Sequence, residues 1–144
     1  MEKTQNYKNH VRWFPPFHFV LAPVALVLVI YWAVRLYQSP SFDQAALLLF
    51  GIALFMAVFI SRLFALKNQD RIIRLEEAIR YSRLLTPELA EKASGLNLQQ
   101  IIALRFASDE ELAGLVERTV NGDLAAQKEI KLAVKDWRAD FHRV

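Results

Sequence analysis

Two long apolar runs come first along the chain, and a charged half with helical periodicity follows them. From Phe17 to Val34 the sequence reads FHFVLAPVALVLVIYWAV, 18 residues without a formal charge. From Ala45 to Ser61 it reads AALLLFGIALFMAVFIS, and apolar character continues past Arg62 as far as Leu66. A helix needs about 20 residues to cross a hydrocarbon core about 30 Å thick. The pattern therefore predicts spans over about 17–36 and 45–66, with Trp13, Phe14, Tyr31, Trp32 and Tyr37 bracketing the first as interfacial aromatics. Neither run carries the polar stripe expected of a core helix in a water-soluble protein. The first run is longer than the apolar part of a secretory signal, and a second span follows it rather than a cleavage site, so it is expected to be retained.

The link Arg35–Gln44 (RLYQSPSFDQ) is centred on Ser39-Pro40-Ser41, a turn signal. Its shortness predicts an antiparallel hairpin. Lys3, Lys8 and Arg12 precede the first span, Arg62, Lys67, Arg71 and Arg74 follow the second, and the link offers only Arg35. The positive-inside bias then places both termini in the cytoplasm. Pro15-Pro16 suits a helix start, and Pro23 predicts either a kink or a later start.

Beyond Leu66 the period changes. KNQDRIIRLEEAIRYSRLL places Ile72, Ile73, Leu75, Ile79 and Leu84 among charges at helical spacing, and nothing from Ser61 to Leu85 breaks a helix. The second span is thus expected to run on beyond the bilayer. Thr86-Pro87-Glu88 is a helix start, and Gly95 a stop. Asn97 caps LQQIIALRF. Ser108 with Glu111 forms a capping box for a helix ending at Asn121-Gly122. Asp123 is read as the cap of a last helix of about twenty residues, following the same start signals. On that helix Ala126, Ile130, Ala133, Val134, Trp137 and Phe141 would share an apolar face, beside a basic stripe of Lys128, Lys131, Lys135 and Arg138. Such a helix either lies on anionic lipid or packs on the module with a solvated edge; Glu129, Asp136 and Asp140 dilute the stripe and favour packing. The fold class is an all-α membrane protein: a short N-terminal cytoplasmic segment (1–16), a transmembrane hairpin (17–66) and a cytoplasmic multi-helix module (67–144).

Composition sharpens this division. Residues 1–66 hold 5 Lys/Arg against 2 Asp/Glu, while 67–144 hold 13 of each, so the net charge of +3 belongs to the first part. With no cysteine in the chain, disulfide scaffolds, iron–sulfur centres and thiolate zinc sites are excluded. The charge-balanced second half lacks the concentrated positive surface that nucleic acid requires. Arg62, Lys67, Arg71, Arg74, Arg80 and Arg83 make the juxtamembrane stretch basic against Asp70, Glu76 and Glu77, which can attract anionic lipid or simply set topology. Ala53, Ala57 and Ser61 form a small-residue face where helices can approach in lipid. His18 is the sole histidine in either run, and it is read as an interfacial hydrogen-bonding group before a haem or quinone ligand. Known catalytic motifs are absent, so no catalytic, cofactor or metal residues are expected. An enzymatic role would need a polar cluster built across copies, for which His18, Asp109 and Glu111 are the residues to replace.

Four blocks look familiar together: QNYKNHVRWFPPFHFVLAP (Gln5–Pro23), QDRIIRLEE (Gln69–Glu77), IIALRFASDEEL (Ile101–Leu112) and IKLAVKDWRADFHRV (Ile130–Val144). They resemble a family of small two-span bacterial membrane proteins of unknown function, sometimes mislabelled as ABC transporter permeases. The resemblance covers nearly the whole chain and implies a protein of the bacterial cytoplasmic (inner) membrane. It carries no activity or site to transfer. A permease label finds no support, because two spans without polar lining form no translocation path by themselves. The expectation is a non-enzymatic membrane protein. Its partners are the lipid bilayer and either a partner protein or further copies of itself (a homo-oligomer), with no small-molecule substrate. A small accessory subunit of a transport or respiratory complex is the alternative.

Overall fold

The structure is a computed structural model, and it describes residues 5–10 and 13–140. Those residues form six α-helices and no strand: a π-helical segment Pro16–Leu21, α1 (Ala22–Gln38), α2 (Phe42–Leu84), α3 (Pro87–Ser94), α4 (Leu98–Leu104), α5 (Asp109–Val120) and α6 (Gln127–Ala133). They divide into two compact units. One lies within residues 13–67, and the other combines residues 5–10 with 68–140.

In the first unit, Pro15 and Pro16 open the helical path, and Pro23 falls in the first turn of α1. Proline has no N–H for the ladder and its ring crowds the preceding turn. The wider π-turns directly before it accommodate this proline, and the helical path runs unbroken from Pro16 to Gln38. The turn between α1 and α2 is only Ser39-Pro40-Ser41, tighter than the ten-residue link read from the sequence. Ser39 N–H closes α1 on the Arg35 carbonyl at 3.0 Å. The Ser41 hydroxyl accepts the Gln44 N–H at 3.2 Å, so one serine ends the turn and caps α2.

Phe17 meets Phe59 edge-on at 5.7 Å, while Val29 and Trp32 lie beside Gly51. Numbers therefore rise along one helix as they fall along the other. Ala25, Gly51 and Val58 are buried here. Most large apolar side chains are not. Only 6% of the most apolar stretch of Pro16–Gln38 is buried inside the protein, and 11% for α2, so both helices are long and apolar enough to cross a membrane without being covered by protein.

In the second unit the part of α2 beyond Lys67 is amphipathic. Ile73, Glu77, Arg80 and Tyr81 are buried on one face, at i, i+4, i+7 and i+8. Thr86 caps α3 through the Leu89 N–H, with Pro87 in the first turn as the sequence predicts. Asn97 caps α4, and Gln100 completes a reciprocal box with it: Asn97 Oδ1 accepts from Gln100 N–H and Gln100 Oε1 from Asn97 N–H, both at 3.0 Å. Ser108 does precede α5, but its side chain makes no capping bond. Gly122 adopts φ +89°, a left-handed conformation that turns the chain after α5 at no Cβ cost. Phe106, Leu104, Leu112, Val116 and Ile130 are fully buried and form the centre of the core.

The last helix departs most from expectation. It is α6, seven residues rather than about twenty, and it starts after Ala126 instead of at Asp123. Glu129 accepts the Ala125 and Ala126 N–H groups and fixes that start. From Val134 the chain runs extended and bridges Ala107 to Trp137 in antiparallel fashion. Ser108 N–H donates to the Asp136 carbonyl at 3.0 Å and Arg138 N–H to the Phe106 carbonyl at 2.8 Å. Glu111, released from any capping box, accepts the Lys135 and Asp136 N–H groups. These long-range bonds, with Trp137 packed on Phe106 at 5.0 Å, outweigh the local helical preference.

Candidate functional site

The second unit holds its charges in an unusual place. Arg80 and Glu77 stand on the buried face of α2, and Arg105 follows α4; all three are less than a tenth exposed. Burying a charge is tolerated only where partners replace water. Arg80 has several. Its Nε donates to Asp109 Oδ1 at 2.8 Å, its Nη2 to the Ala107 carbonyl at 2.7 Å, and its Nη1 to Glu77 Oε2 at 3.3 Å. One guanidinium thus joins α2 to the first residue of α5 and to the α4–α5 connection. Arg138 approaches the other Glu77 oxygen at 3.7 Å, and Arg105 lies 3.5 Å from Asp140 with its guanidinium 4.6 Å from the centre of the Phe106 ring. Burial lifts the Glu77 carboxyl above its ordinary value near 4.5, and Arg80, Arg138 and Arg105 only partly offset this. Burial likewise raises Tyr81, reinforced by the Glu77 charge; its hydroxyl has no hydrogen-bond partner among the described residues.

Two clefts border this cluster. One of about 370 Å³ is lined by Glu76, Glu77, Ile79, Arg105, Arg138 and Asp140. The other, about 320 Å³, takes in Arg80, Arg83 and Asp109. Acids and bases alternate around both, so the charges satisfy one another and do not present a field of one sign. No group of three or more His, Asp or Glu side chains able to hold a metal occurs among the described residues.

A second layer joins the two ends of the chain. His10 packs on Phe106 and Trp137 at 5.9 and 5.8 Å. Its Nδ1 lies 2.6 Å from the Tyr7 carbonyl, which assigns the proton there and leaves Nε2 to accept from Lys131 Nζ at 3.3 Å. Asp140 N–H donates to Gln5 Oε1 at 2.9 Å. Residues 5–10 are therefore part of the helical unit and not of a separate leading segment.

On the opposite side of α2 from Glu77 and Arg80, Ile72 and Leu75 are 54% and 65% exposed, and Ile79, at the rim of the clefts, is 54% exposed. They lie beyond the apolar run, among charged residues. Arg71 and Glu76 flank the stripe, both exposed and without an ion pair among the described residues.

The residues singled out in the sequence scatter around these features. Ala53, Ala57 and Ser61 are all exposed, and Ser61 Oγ donates to the Val58 carbonyl at 2.8 Å. Arg62 stands 5.7 Å from the centre of the Phe17 ring, while Lys67, Arg71 and Arg74 are exposed. The basic stripe of Lys128, Lys131, Lys135 and Arg138 does not exist as one helical face, because α6 ends at Ala133. Lys128 and Lys135 are exposed, Lys131 turns towards Phe106, and Arg138 turns towards Glu77. Phe141, expected on the apolar face, lies outside the described residues. His18 Nδ1 sits 2.9 Å from the Phe14 carbonyl, a local backbone contact. Asp109 belongs to Arg80, and Glu111 holds the C-terminal strap. Sequence reasoning counted Glu77 and Arg80 with the solvated basic stretch. The signal that separates them is their register with Ile73 and Tyr81.

The fold and the site define an all-helical protein with two helices capable of spanning a membrane and a helical unit clamped by buried arginines. The chain belongs to a family of unknown function (DUF6526), which it matches over residues 1–144. No curated protein and no solved structure matches it.

Proposed function

We propose that the protein is a non-enzymatic integral membrane protein of the bacterial inner membrane. In this reading an antiparallel hairpin, spanning about 17–36 and 45–66, anchors a cytoplasmic module that brings proteins together at the membrane. The observation that carries it is the outward stripe of Ile72, Leu75 and Ile79, three large aliphatic side chains facing water on an otherwise charged helical segment. Exposed apolar patches of this kind mark protein interaction surfaces. Topology has independent support. Gln5 and His10 touch Asp140, Lys131 and Trp137, so the residues before the first apolar helix and those after the second share one compartment. This supports an even number of crossings, and the basic residues flanking the two runs favour the cytoplasm for both ends.

Two measurements test this. The full chain should stay with the membrane pellet through an alkaline wash, and a C-terminal reporter should be active only when cytoplasmic. From mild detergent it should co-purify with another protein or with a differently tagged copy of itself. A lone monomer at physiological expression, or a reporter active only outside the cell, would overturn the proposal.

A further inference from the structure

We infer that Ile72, Leu75 and Ile79 are the seam of a parallel two-stranded coiled coil with a second copy of this chain. The inference rests on the membrane-anchored association reading and names its partner. In a heptad beginning at Ile72, Ile72 and Ile79 fall at a and Leu75 at d, and β-branched a residues with Leu at d favour two parallel strands. The buried face of α2 (Ile73, Glu77, Arg80 and Tyr81) occupies positions b, c and f. Packing within the module and pairing between copies thus use different sides of one helix, which meet at the cleft rim where Glu76 and Ile79 stand. Arg71 falls at g and Glu76 at e. In a parallel pair the g side chain of one strand meets the e side chain of the next heptad on the other. Arg71 of each copy then faces Glu76 of the other, twice by symmetry, and both residues are exposed to do so. An antiparallel pair loses this match, because it sets g against g and e against e. Two copies inserted in one membrane with the same topology have their α2 helices parallel. The seam covers one heptad and the first position of the next, since Ser82 takes the following d. It would bind weakly between free chains, but confinement to one bilayer raises the effective concentration and makes a short seam sufficient.

The chain has no cysteine, so single cysteines can be placed without background. Full-length Ile72→Cys, Leu75→Cys and Ile79→Cys are oxidised in native membranes, with Arg74→Cys, an exposed position away from the stripe, as the comparison. All three stripe positions should give a disulfide dimer of twice the chain mass, and Arg74→Cys little or none. Arg71→Glu in the Leu75→Cys background should lower the dimer fraction about fivefold, and adding Glu76→Arg should restore it. A band at only one stripe position overturns the parallel arrangement. Cross-links to a species of another mass overturn a second copy as the occupant. If tagged copies co-purify but no stripe position cross-links, the seam is wrong and the association reading stands. If nothing co-purifies, both fall.

Discussion

The two units solve the problem of apolar surface in opposite ways. Within residues 13–67, Phe19, Leu49 and Phe50 are each about two-thirds exposed, and burial is confined to positions such as Ala25, Gly51 and Val58. In the other unit Phe106, Leu104, Leu112, Val116 and Ile130 are shut away completely, while Glu77, Arg80 and Arg105 are buried with them. One unit leaves most of its apolar surface uncovered by protein and packs little inside. The other makes its own interior and has to satisfy every charge it encloses. α2 supplies helix to both, apolar on all sides in its first part and two-faced in its second.

Breaking the Arg80 clamp should separate the units most sharply. Arg80→Ala leaves Glu77 buried with only the more weakly acting Arg138 and Arg105 and strips the Ala107 carbonyl of its donor. Losing one partner of a buried pair costs about 3–5 kcal/mol. Limited proteolysis in detergent should then cut within residues 68–140 at much lower temperature, with the apolar unit still protected. A smaller effect tests the other side. A Cβ on Gly51 would meet Val29 and Trp32 at ordinary contact distances of 3.7–3.9 Å, so Gly51→Ala should be tolerated. Gly51→Leu overfills the seam and should cost about 1–3 kcal/mol, read as lower thermal stability of the hairpin in detergent.

The smallest effect concerns pH. Glu77 has a folded value raised above its unfolded one, so the folded protein holds this proton more tightly. Its contribution to stability is complete below about pH 4.5 and declines as pH rises through the raised value. Glu77→Gln should flatten that slope, changing little in acid and stabilising the module modestly at neutral pH. A slope identical to that of the unaltered chain would mean that Arg80 and Arg138 fully compensate the burial.

The sequence made some of this architecture plain and concealed the rest for physical reasons. Apolar runs, serine and proline at the turn, and Thr86-Pro87 act over a few residues, so they can be read directly. The end of α6 cannot be read this way. Nothing local forbids helix from Val134 to Asp140; what prevents it is the bonding of Asp136 and Arg138 to Ser108 and Phe106, some thirty residues away. Glu77 and Arg80 were hidden likewise, because charges are normally solvated and only their register with Ile73 and Tyr81 marks them as interior. The exposed stripe was visible as residues but not as a surface, since the opposite face first had to be covered.

The docking of Gln5 and His10 has a consequence for biogenesis. The residues that receive them, Lys131, Trp137 and Asp140, leave the ribosome more than a hundred residues after Gln5 and His10. Gln5 and His10 must therefore wait, through the synthesis of everything between, before their cradle exists. Deleting either Gln5–His10 or Lys131–Asp140 should injure one and the same body, and the folding clock of that body starts only once Asp140 has been made.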